Sequence, residues 1–157
     1  MQLAEKVESA ALTKKAESKP LSIRRIIAAV NPSKKCEATV RYASEIAGRY
    51  DATLYICHVF WPSIRNQGQH YDSIDREQRE IRHQLEVLAD QVRGSVPICK
   101  SALLSGHPAE RISMFAHDVH ADLIVTSSSD PIVTRLLSAD MAVKMPCSVL
   151  GYHENDS

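Results

Sequence analysis

The sequence has no excess of either charge: 19 Lys and Arg stand against 19 Asp and Glu, a formal net charge of zero. A dedicated nucleic-acid binder carries a basic surplus on one face, so no nucleic-acid partner is expected. Long apolar runs are missing too. The longest, Ile26 to Val30, falls far short of the ~20 residues a membrane helix needs, and no membrane partner is expected. Residues 1–20 lack the apolar stretch and small-residue cleavage site of a signal peptide, which makes the expected location cytoplasmic. The four cysteines, Cys36, Cys57, Cys99 and Cys147, form no CxxC pair and no zinc-type spacing with histidine. They read as reduced core thiols, and no metal is expected. Catalytic signatures are also missing: there is no GxSxG elbow, no GxxxxGK[ST] loop, no HExxH and no GxGxxG. The expected protein is not an enzyme.

What is present suits one globular domain. The chain has 157 residues, 44% of them hydrophobic and 24% charged, enough to bury a core without disulfides or a structural metal. Residues 1–20, MQLAEKVESAALTKKAESKP, mix Ala, Lys, Glu and Ser, with few large apolar residues, Leu3, Val7 and Leu12 among them, before a proline. Such a segment is barely stable as a helix on its own, so 1–20 reads as an N-terminal extension and 21–157 as the domain.

From Ile23 onward, short β-branched runs alternate with longer segments of helical period. Strands are expected at Ile23 to Val30, Thr53 to Val59, Val96 to Leu104, Asp122 to Thr126 and Cys147 to Tyr152. Between them fall helices from about Cys36 to Arg49, over the Ile74, Ile81, Leu85, Leu88 and Val92 stripe, from Ala109 to about Val119, and from Ile132 to Met145. Apolar strands alternating with helices imply a doubly wound parallel sheet of five strands with helices on both faces. The pattern leaves the strand order open between 2-1-3-4-5 and 3-2-1-4-5; either way the first strand lies at the reversal, where such sheets bind ligands. Asn31-Pro32-Ser33 therefore borders the expected pocket.

Six blocks in order carry a resemblance: IRRIIAAVNPS from Ile23, ASEIA from Ala43, LYICHV from Leu54, GHPAERI from Gly106, ADLIV from Ala121 and PCSVL from Pro146. Together they resemble the universal stress protein family over about Leu21 to Tyr152. The resemblance implies strand order 3-2-1-4-5, pairing into homodimers, and in part of the family ATP or another adenine nucleotide at the switch point. It also implies, for ATP-binding members, an Asp after strand one and a G-x2-G-x9-G-[ST] loop after strand four. Here the Asp is Asn31, the first two glycines are Ser127 and Asp130, and the third is Ala139 or Asp140. Serine and aspartate bring a Cβ where glycine lets the backbone approach phosphates, and Asp130 adds a repelling charge.

The expected function is a non-catalytic stress-response protein acting through dimerisation and contacts with an unidentified protein partner, with ATP binding lost or weak and no cofactor required. Its alternatives are a sensor binding AMP, adenosine or ATP and, further off, an enzyme of a related nucleotide-handling group. The candidate residues of a vestigial adenine pocket are Asn31, Ser33, Val59, Ser127 and Asp130. Asn31 has donors and an acceptor for a ribose or base edge, or else caps a turn; Ser129 or Asp130 is the expected cap of the helix after strand four. Val149, Leu150 and Tyr152 are the candidate dimer interface, because the last strand is apolar and carries no Lys or Pro guard against edge pairing. Cys36, at a helix start beside Lys34 and Lys35, is a candidate low-pKa thiol. His117 and His120 share a helical face at i, i+3, and His58 reads as a partly buried, hydrogen-bonded strand-end residue.

Overall fold

The computed structural model describes residues 21–61 and 71–154. The extension at 1–20, residues 62–70 between the second strand and the following helix, and residues 155–157 lie outside the described residues. Five strands, β1 (Arg25–Ala29), β2 (Thr53–Phe60), β3 (Ile98–Ser105), β4 (Leu123–Ser127) and β5 (Ser148–Tyr152), form one sheet in the order β3-β2-β1-β4-β5. Every pairing is parallel. The helices are α1 (Glu37–Tyr50), α2 (Tyr71–Val92), α3 (Pro108–Val119), α4 (Ile132–Leu136) and α5 (Ala139–Ala142).

Strand period sorts the core into two layers. Ile26 and Ala28 of β1 face Val40, Ala43, Leu85 and Leu88 of α1 and α2. Ile27 and Ala29 point the other way, onto Ile112, Ala116 and Leu136 of α3 and α4. Because the first four residues after Arg25 are all buried, β1 must be apolar throughout, as a strand covered on both faces requires. The left-handed residues Asp51 (φ 56°) and His120 (φ 56°) end α1 and α3. At Gly48 the chain passes so close that an added Cβ would lie 2.7 Å from the Ser95 carbonyl oxygen, which ties α1 to the turn after α2.

Three local expectations change. The single helix expected from Ile132 to Met145 is two short ones, because Ser138 takes an extended conformation (φ −62°, ψ 154°) and its hydroxyl accepts from the Met141 N–H at 3.4 Å, starting α5 afresh. That leaves Leu137 56% exposed at the break. The third strand begins at Ile98, although Val96 is buried ahead of it. His120 is the left-handed residue closing α3, so it does not share a helical face with His117.

Candidate functional site

The first and fourth strands are neighbours whose chains leave in opposite directions, toward α1 and α4, and the gap between their following loops is a cleft of about 260 Å³. Its floor is the carboxyl end of β1 and β2, with Ala29, Cys57 and Val59. Pro108 and Ile112 of α3 form one apolar wall, and Pro131 and Ile132 another. Asn31, Lys34, Asp130 and Arg135 supply the polar groups. The volume falls just below the ~300–1,000 Å³ usual for ligand pockets.

Asn31, Val59 and Asp130, three of the five candidate pocket residues, line this one cleft. Asn31 sits in a turn of its own making: its Oδ1 accepts from the Ser33 N–H at 3.1 Å and the Ser33 hydroxyl at 2.7 Å, while its carbonyl accepts from the Lys34 N–H at 3.0 Å. Such an Asx turn is what Asn-Pro-Ser favours. It leaves the Asn31 side-chain NH2 as the donor free for a ligand. Ser33 itself lies in an adjoining cleft of about 700 Å³ on the α2 side, which shares Asn31, His58 and Val59 with the first. Ser127 is absent from both walls; its hydroxyl pairs with that of Ser129 at 2.8 Å.

Asp130 is committed locally. Its Oδ1 accepts from the Ile132 N–H at 3.0 Å, so Asp130 rather than Ser129 anchors the entry into α4. Asp130 is also among the residues that line the cleft.

His58 lies between the two clefts. A carbonyl can only accept, so the contact of Nδ1 with the Val30 oxygen at 2.8 Å fixes the proton on Nδ1 and leaves Nε2 as an acceptor in the neutral ring. Burial lowers the His58 pKa from its usual 6.5, opposed by that hydrogen bond and by the Asp130 charge. The nearby Cys57 thiol is pushed up to about 12 by burial and is no nucleophile at neutral pH. Cys36 corrects the expectation of a low-pKa thiol: it is buried, and that burial together with the Glu37 charge pushes it up to about 11. Desolvation of a thiolate outweighs the helix dipole there.

Arg135, Pro108 and Ile112 also line the cleft, although the sequence does not mark them as pocket residues, and Lys34 stands out there only as a neighbour of Cys36. Their signal is weak because each belongs to a helix or turn whose place over the cleft depends on how the layers pack. Arg135 lies three residues after Ile132, which puts both on one face of α4.

A parallel sheet with helices on both faces and a ligand-sized cleft at its strand reversal defines the doubly wound α/β proteins that bind small molecules beyond the strand ends. The sequence profile of the universal stress protein family matches residues 22–150, and the chain belongs to that family. A comparison with curated proteins returns no match. Among solved structures, a universal stress protein from Lactobacillus plantarum is similar with a TM-score of 0.70 at 19% identity, covering 84% of this chain and 99% of that one. A universal stress protein in complex with cAMP gives 0.63 at 21%, covering 86% and 100%. One from Archaeoglobus fulgidus in complex with dAMP gives 0.62 at 21%, covering 83% and 98%. No described helix is long and apolar enough to cross a membrane.

Proposed function

We propose that this is a non-catalytic universal stress protein acting in the stress response as a homodimer and through contacts with a protein partner, its ATP binding lost or weak. The observation that carries this reading is Asp130. Where ATP-binding members are expected to have a loop glycine, this chain has Asp130, which lines the cleft and whose Oδ1 anchors the entry into α4. A carboxylate ~4 Å from a phosphate charge costs about 1 kcal/mol in bulk water and ~4 kcal/mol at an effective dielectric near 20. Ser127 and Ala139 or Asp140, at the other two loop positions, also bring side chains where close backbone approach is needed. Calorimetric titration with ATP, with and without Mg²⁺, is expected to give no binding tighter than ~100 μM. A Mg²⁺-dependent constant in the low micromolar range, abolished by Asp130→Ala, would overturn the proposal.

A second reading, a sensor for a smaller adenine ligand such as AMP or adenosine, is favoured by the cleft itself. It keeps Asn31 and Val59 in its wall at about 260 Å³, a size better suited to a nucleoside monophosphate than to a triphosphate, and two structural relatives were solved with cAMP and dAMP. Mass spectrometry of small molecules released from the purified, denatured protein separates the two: stoichiometric adenine nucleotide selects the second.

A further inference from the structure

Two cationic residues, Lys34 and Arg135, are among those that line the cleft. Lys34 comes from the turn after β1 and Arg135 from α4, which follows β4; β1 and β4 are neighbours in the sheet, so the two side chains approach one cleft from adjoining strand ends. Arg135 is held in place by its helix: Leu136 is fully buried, and Ile132, on the same face as Arg135, lines the cleft with it. The adjacent lysines diverge. Lys35 lies 3.9 Å from Glu154, whereas Lys34 borders the cleft. Among the described residues neither Lys34 nor Arg135 is paired with a carboxylate. Two cations against the single carboxylate of Asp130 leave the lining one positive charge in excess.

We propose that Lys34 and Arg135 form a side-chain clamp for a phosphate monoester, so that the ligand of this cleft is a nucleoside monophosphate. The inference rests on the second reading above and deepens it. The apolar walls at Val59, Ile112 and Ile132 take the flat ring system, the Asn31 amide offers its NH2 to a polar edge, and the phosphate lies toward the cations. Arginine suits this task because its planar fork donates two parallel hydrogen bonds to one phosphate, and lysine adds a point charge. A backbone loop that binds phosphates through amides needs glycines; a side-chain clamp does not, and its two cations outweigh the single Asp130 charge that opposes a phosphate.

The test is calorimetric titration of the full chain with AMP, adenosine and inorganic phosphate, using the wild type, Lys34→Gln, Arg135→Gln and Arg135→Lys. AMP is expected to bind at least about tenfold more tightly than adenosine, the effect of one charge-assisted hydrogen bond. Each Gln variant is expected to lose most of that preference while keeping adenosine affinity and thermal midpoint unchanged, and Arg135→Lys to keep part of it. Rising ionic strength is expected to weaken AMP but not adenosine. Equal affinity for AMP and adenosine overturns the clamp and leaves the cleft reading intact; no binding of either overturns both. Inorganic phosphate binding as tightly as AMP overturns the nucleotide assignment.

Discussion

His58 shows how one side chain joins the fold to the site. Its ring is held by the Val30 carbonyl and lies between two clefts, so burial works against its protonation. The folded pKa is below 6.5, and between that value and 6.5 the unfolded chain binds the extra proton. Stability therefore rises with pH across this window and is lost as pH falls from about 6.5 through the folded pKa. Denaturant unfolding at a series of pH values is expected to show that slope, and His58→Gln to reduce it; an unchanged slope in the variant would assign the dependence elsewhere. Asp130 is a second case of one residue with two tasks. Its carboxylate anchors α4, so removing it to recover phosphate binding also removes a helix anchor.

At the scale of elements, close approach decides which changes the fold accepts. A Cβ added at Gly48 of α1 would stand 2.7 Å from the Ser95 carbonyl oxygen, whereas one added at Gly94, the residue before Ser95, would meet nothing within 4 Å. Gly48→Ala is expected to destabilise by about 1–3 kcal/mol, as overpacking does. Gly94→Ala is expected to change stability by less than about 0.5 kcal/mol. Similar losses in both variants, by chemical denaturation, would mean that the contact with the Ser95 carbonyl does not hold α1 to this turn. The break between α4 and α5 matters for the same reason: it ends the helix that carries Arg135 right after buried Leu136, and Ser138, whose hydroxyl also donates to the Arg135 carbonyl at 2.8 Å, closes that end.

For the whole molecule, assembly centres on β5, which pairs with β4 on one side only. The side chains proposed for the interface are turned inward: Val149 packs with the α3 and α4 layer, Leu150 and Tyr152 with the other, and Tyr152 stacks on Tyr42 at 4.4 Å. What the edge offers a second copy is therefore its backbone, which closed two-fold pairing would satisfy. Sedimentation at tens of micromolar is expected to show a dimer, and hydrogen exchange to show protection of those β5 amides that point away from β4. A monomer with fast exchange at these amides would remove β5 as an interface. The 1–20 extension is proposed to be dispensable for the fold: its deletion is expected to move the thermal midpoint by no more than a few degrees, corresponding to under about 1 kcal/mol. A fall of ten degrees or more, roughly 3 kcal/mol or above for a domain of this size, would mean that it docks on the body.

Periodicity in the sequence was enough for the five strands, the doubly wound class and the stripe of Leu85, Leu88 and Val92, because burial on one or both faces writes itself into the spacing of apolar residues. Asn31, Val59 and Asp130 were also legible, since they stand at strand ends and in the loops beyond them, where this class of sheet binds ligands. The break at Ser138 was there to be read as a cap but was hidden by the apolar residues on either side. Strand order could not be read from periodicity, because the same strands satisfy their spacing in more than one sequence of neighbours; it came from resemblance and is fixed by the pairing of β1 with both β2 and β4. Only the packed structure brought Lys34 and Arg135 to one cleft, and only it buried Cys36. Both outcomes depend on contacts between residues far apart in the chain, for which local spacing carries no signal.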